Sequence, residues 1–238
     1  MNVLSIGNSF SEDATRYLHQ IALADGVRLD TANLYIGGCP LSYHYRNMLC
    51  DAKEYTLQYN GVSTGFLVSI AEALLNRSWD VVTVQQASHE SFKPESYQPY
   101  AKELVAFVRK YQPKARVFWH QTWAYEQGSD RLANVAGYAH AAEMFAAVQA
   151  AYAAAHAETG TDGVIPSGEM FANLLANGVE KIHRDTFHAS YGLGRYALGL
   201  LWYKTLTGRA VSENPFAALD EAANAEEIAL VKRYVDSL

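Results

Sequence analysis

Cysteine is scarce in this chain: Cys39 and Cys50 are the only two in 238 residues. That is too few for a disulfide framework or a four-thiolate zinc site. Basic residues are also few. Nineteen Lys and Arg against 25 Asp and Glu leave a formal charge of −6 with no basic block, which argues against nucleic acid or an anionic membrane as the main partner. No apolar run approaches the ~20 residues that span a bilayer, and the first apolar stretch, Val3 to Gly7, is too short for a signal-peptide core. The dinucleotide pattern G-x-G-x-x-G, the P-loop lysine and the His-Glu-x-x-His metal pattern are all missing. No cofactor and no metal are therefore expected. Charged residues make up only 18% while half the chain is apolar, which excludes the disordered class. The expectation is one cytoplasmic domain over 1–238, or a secreted one if a leader has been removed. Residues 212–238 form a C-terminal helical extension that is open to an oligomer contact.

What is present alternates between short β-like runs and longer helical patterns. Strands are expected at Asn2 to Gly7, Val27 to Tyr35, Trp79 to Gln85, Ala115 to Gln121 and Gly163 to Pro166. Helical patterns cover Ser11 to Ala24, Leu67 to Leu75, Pro99 to Tyr111, Val135 to Ala157 and Ser190 to Thr207. This alternation implies right-handed crossovers and a parallel sheet covered on both faces. Sites in such sheets form beyond the carboxyl ends of the strands.

Four segments at those ends carry residues able to do chemistry. Gly7-Asn8-Ser9-Phe10-Ser11 puts a serine on a strand-to-helix turn, where it is exposed and close to amide groups; the same serines could simply cap the helix. Arg184-Asp185-Thr186-Phe187-His188 spaces a carboxylate three residues before an imidazole it can orient. His183, Asp185 and His188 also give a weaker metal-dependent reading. Gly37-Gly38 lets backbone approach a ligand, and Gln85-Gln86 offers an uncharged amide to a developing oxyanion. Trp119, His120, Trp123 and Tyr125 follow the fourth strand and could floor a sugar cleft, although Trp119 fits a core position equally well. Tyr35, Tyr43 and Tyr45 also fall on loops at this edge.

Taken in order, Gly7-Asn-Ser-Phe-Ser-Glu-Asp-Ala14, Leu34-Tyr-Ile-Gly-Gly-Cys39, Trp79 to Ser88, Trp119-His-Gln-Thr-Trp-Ala-Tyr125, Ile165-Pro-Ser-Gly168 and Asp185-Thr-Phe-His188 resemble the SGNH/GDSL hydrolase superfamily. The match is closest to its DUF4886 branch. The resemblance implies a flavodoxin-like three-layer α/β/α fold with five parallel strands in the order 2-1-3-4-5. It also implies a Ser-His-Asp esterase or acetylesterase acting on carbohydrate or small polar esters, with saccharide esters as partners and neither nucleic acid nor membrane. Ser9 then matches the nucleophile, His188 the base and Asp185 its partner. The oxyanion hole would be formed by Ser9, Gly38 and Gln86, with Trp123, Tyr125, His120 and Gln85 binding substrate. Asn8 stands where the superfamily has aspartate, and the usual block-three asparagine is absent. A weakly active carbohydrate-binding scaffold is the alternative reading.

Overall fold

Val3, Leu4 and Ile6 are all buried, because β1 (Asn2–Gly7) runs through the middle of a sheet covered on both faces. In the computed structural model, which describes residues 1–238, β1 is followed by two short helices, α1 (Ser9–Thr15) and α2 (Leu18–Ala24). Next come β2 (Asp30–Tyr35), α3 (Leu41–Cys50), the pair β3 (Tyr55–Tyr59) and β4 (Val62–Val68), α4 (Ile70–Asn76) and β5 (Val81–Val84). The chain continues through α5 (Tyr100–Tyr111), β6 (Arg116–His120), α6 (Ala141–Thr159), β7 (Gly163–Ile165), α7 (Ser167–Ala176), α8 (Leu193–Thr207) and α9 (Ala225–Ser237).

The sheet order is β4-β3-β2-β1-β5-β6-β7. Its parallel part, β2-β1-β5-β6-β7, has the expected five strands in the expected order. The expected total of five is corrected to seven, because β3 and β4 add an antiparallel hairpin on the β2 edge. The hairpin turns at Asn60-Gly61, both at positive φ (49° and 79°), as a tight two-residue hairpin turn requires. Leu67 and Val68 therefore belong to a strand, and α4 starts only after Ser69. The Ser69 hydroxyl accepts from Glu72 N–H while the Glu72 carboxylate accepts from Ser69 N–H. Two helix boundaries also differ from expectation. The first helix begins at Ser9 and breaks near Tyr17, and α6 begins at Ala141 after a π-helical turn over Arg131–Ala136.

Strand alternation divides the interior into two layers. Val3, Val81, Phe118 and Ile165 face the layer built by α1, α2, α7, α8 and α9. Leu4, Ile6, Val82, Val84, Val117 and Trp119 face the layer built by α3, α4, α5 and α6. The result is the three-layer α/β/α arrangement expected from the sequence. The tail is helical in α9, whose Val231 and Val235 are buried in the first layer.

Candidate active site

The β1–α1 turn is built around close approach. A Cβ on Gly7 would lie 2.4 Å from Ser11 Oγ and 2.9 Å from Gln85 Oε1, so only glycine fits there. Asn8 then caps α1, its Oδ1 accepting from Phe10 N–H at 3.0 Å, and its Nδ2 donates to the Cys39 carbonyl at 3.2 Å. These two backbone partners fix the orientation of the Asn8 amide. Oδ1 must therefore accept from Gln85 Nε2 (2.7 Å), which turns Gln85 Oε1 towards His120 Nδ1 (3.0 Å) and requires His120 to carry its proton there. His120 is fully buried, and burial pushes its imidazole down to about 3, so it stays neutral. This buried relay ties the serine turn to the loop carrying Gly37-Gly38.

Ser9 is the first residue of α1. Its Oγ lies 2.8 Å from His188 Nε2, and His188 Nδ1 lies 2.8 Å from Asp185 Oδ2. Asp185 Oδ1 also accepts from His188 N–H at 2.9 Å. The turn is closed by Arg184 N–H donating to the His188 carbonyl (3.0 Å) and by Glu126 N–H donating to the Thr186 carbonyl (2.7 Å). Those bonds hold Thr186 at φ 75°, a left-handed conformation that a β-branched residue seldom adopts. Burial opposes the Asp185 charge, but the bonds from His188 and the charges of His188 and Arg184 outweigh it and hold the carboxyl below its usual range.

Asp13 locks the serine helix to the histidine loop. It is fully buried on α1, and its carboxylate accepts from Arg184 Nη1 (2.9 Å), Arg195 Nε (2.8 Å) and Ala189 N–H (3.1 Å). Burial pulls the Asp13 carboxyl up and the two guanidinium groups pull it back. One short helix thus presents Ser9 at its start and grips the His188 loop one turn later. The sequence showed Asp13 only as an acid in a first helical turn; its true partners lie some 170 to 180 residues away.

Ser9 and His188 open into a polar cavity of about 340 Å³, whose walls include Tyr35, Gly38, Ser88, His89, Arg131 and Phe187. Neither the Gly38 nor the Ser9 N–H donates within the chain, and Gly38 sits at φ 61°. Both amides are available to an oxyanion.

Five sequence expectations are corrected here. Gln86 does not reach the cavity: its Oε1 accepts from Leu41 and Ala87 N–H, and its Nε2 donates to Ser96, so it braces two loops. Gln85 and His120 are buried in the relay below the serine turn and do not contact the cavity. Trp123 is fully buried beneath Phe10, with ring centroids 4.2 Å apart, and its indole N–H donates to the Phe187 carbonyl. Tyr125 is 1% exposed, its hydroxyl 3.1 Å from Ser88 Oγ. An aromatic after a strand end reads the same in sequence whether it floors a cleft or supports one. His183 turns its Nε2 to the Ala124 carbonyl (3.2 Å), and no group of three His, Cys, Asp or Glu converges as a metal site would require.

A serine hydroxyl bonded to an imidazole, which is in turn oriented by a carboxylate, is an arrangement suited to nucleophilic catalysis. Solved structures with this sheet place the chain among the SGNH hydrolase folds. A protein of Slackia heliotrinireducens described as a candidate SGNH hydrolase superposes with a TM-score of 0.64 at 22% identity, over 87% of this chain and 98% of that one. Axe2, an acetylxylan esterase from Geobacillus stearothermophilus, does so with a TM-score of 0.54 at 12% identity, over 86% and 91%. More specifically, residues 2–235 match the family described as Domain of unknown function (DUF4886), and the chain belongs to that family. A DUF4886 family protein from Bacteroides uniformis superposes with a TM-score of 0.93 at 30% identity, over all of this chain and 93% of the other. No curated protein matches the sequence. No helix is long and apolar enough to cross a membrane.

Proposed function

We propose that the protein is a serine esterase that removes short acyl groups, acetyl above all, from a saccharide or small polar alcohol. The observation that carries this reading is the chain of 2.8 Å contacts Ser9–His188–Asp185 at the floor of an open polar cavity. His188 Nε2 takes the Ser9 proton as Oγ bonds the acyl carbon, and Asp185 stabilises the imidazolium. The oxyanion is met by the Ser9 and Gly38 N–H groups, with the Ser88 hydroxyl as the side-chain donor in place of Gln86. Collapse breaks the bond to the alcohol oxygen, which leaves with the proton from His188. Water then attacks the acyl-enzyme, giving its proton to His188. His188 returns that proton to Ser9 Oγ as the bond from Oγ to the acyl carbon breaks and the acid departs.

The cavity walls support the short-acyl preference. Phe10 and Phe187 are the main apolar surfaces, and polar side chains line most of the rest, which leaves no groove for a long chain. The fold likeness to an acetylxylan esterase agrees with an acetyl donor. The test is kcat/KM across acetyl, butyryl, octanoyl and palmitoyl aryl esters. Activity should fall with length, and a rise towards the longer chains would contradict the reading. One observation favours the weakly active binding scaffold instead: no Asn or Gln amide is left free to meet the oxyanion. A serine-directed probe separates the two.

A further inference from the structure

The cavity wall carries one cation without an anionic partner. Glu12 accepts from Gln58 Nε2 at 2.5 Å, and Arg184 is committed to Asp13. The guanidinium of Arg131, at the start of the π-helical turn, makes no hydrogen bond and no ion pair with any residue, although Arg131 lines the same cavity as Ser9. Its position is nevertheless fixed. The guanidinium lies 3.7 Å from the centroid of the Phe187 ring and 5.5 Å from that of Tyr125, and stacking of this kind orients the planar fork without consuming its donors.

The side of the cavity matters. Phe187 packs on His188 with centroids 3.8 Å apart, so Arg131 belongs to the His188 wall, one ring away from the imidazole. Under the esterase reading, on which this inference rests, the leaving alcohol oxygen must sit at His188 Nε2 to receive its proton. The alcohol half of the ester therefore extends along the Phe187–Arg131 wall, while the carbonyl oxygen turns to the Ser9 and Gly38 N–H groups.

From this we infer that Arg131 is a specificity determinant that pairs with a carboxylate on the alcohol half of the substrate, so that the preferred esters are those of acidic alcohols such as uronic-acid sugars or hydroxy acids. A guanidinium with its donors free and its plane held matches a carboxylate in a two-pronged pair. A neutral sugar would leave that charge facing the cavity with no partner.

The test compares matched acetyl esters: acetylated glucuronate against acetylated glucose, and 3-carboxyphenyl acetate against phenyl acetate. Wild type should favour the carboxylate member of each pair by about 10-fold or more, the scale one charge-assisted hydrogen bond supplies. A preference in the sugar pair alone assigns the carboxylate to a sugar acid; one in both pairs assigns it to acidic alcohols generally. Arg131→Gln should bring the ratio towards one, mainly through KM, and Arg131→Lys should keep part of it. Raising the ionic strength should shrink the wild-type ratio, a measurement that needs no variant to fold. A wild-type ratio of one, or an Arg131→Gln loss equal for both members, overturns the inference. Fluorophosphonate labelling of Ser9 in the same preparation distinguishes the failures. Labelled protein without the preference loses only the Arg131 assignment, whereas unlabelled, folded protein loses the esterase reading itself.

Discussion

Asn8→Asp changes one atom of the serine turn and should be costly at neutral pH. The new carboxylate keeps the acceptor that serves Phe10 N–H and Gln85 Nε2. Its second oxygen, however, replaces the NH₂ that donates to the Cys39 carbonyl at 3.2 Å, so two acceptors face each other in a site 1% exposed. The least costly escape is for the carboxyl to stay protonated and donate to Cys39. Holding an aspartate neutral at pH 7 costs about 4 kcal/mol, given a reference near 3.9 and about 1.4 kcal/mol per unit. The start of α1 favours only an anion, so it returns nothing to the protonated form, and the loss stays at about 4 kcal/mol at pH 7. The sign follows from linkage. A carboxyl raised in the folded state is neutral in both states well below 3.9, and its penalty grows as pH rises above that value. Urea unfolding of wild type and Asn8→Asp at pH 7.5 and 4.5 measures both terms. The gap between them should be about 5 kcal/mol at the higher pH and about 1 kcal/mol or less at the lower. A variant as stable as wild type at pH 7.5 would refute the donation to Cys39 and with it the clamp between the Ser9 turn and the Gly38 loop.

Two further outcomes follow from buried charge. Asp13→Asn leaves the Arg184 and Arg195 guanidinium groups without their shared carboxylate. Because Arg195 keeps Asp220 at 3.2 Å, the loss should sit at the low end of a broken buried pair, about 3 kcal/mol; a loss under ~1 kcal/mol in urea would contradict the locking role. Burial pushes both His44 and His120 down to about 3. The unfolded chain therefore binds their protons first, and stability, full above pH 6.5, should fall as pH drops. Each costs roughly 2 kcal/mol by pH 5. Thermal unfolding across pH 5–7 should show that decline, and a flat profile would rule out neutral buried imidazoles.

The parallel strands were legible because buried strands make short β-branched runs, and Asn2 to Gly7 and Trp79 to Gln85 are such runs. Their order came from the resemblance to the SGNH/GDSL superfamily and not from the runs themselves. The hairpin was missed although Asn60-Gly61 marks its turn. Its second strand is exposed along most of its length, so hydrophobic alternation gave no support and Leu67 and Val68 read as the start of a helix. Ser9, Asp185 and His188 could be found because local spacing sets their chemistry: a strand-to-helix turn and an Asp three residues before a His. Gln86 could not be placed from sequence, since an amide after β5 can turn either into the cavity or back onto Ser96. Asp13 and Arg131 depend on distant partners, and no pattern within a few residues of either points to them.

The central claim is that Ser9 is an activated nucleophile. Incubation with a fluorophosphonate probe, read by intact mass, tests it most directly. Wild type should gain the mass of one probe, while Ser9→Ala and His188→Ala, each with an unchanged unfolding midpoint, should gain none. Folded wild type that stays unlabelled, or Ser9→Ala that labels as wild type does, would contradict the account.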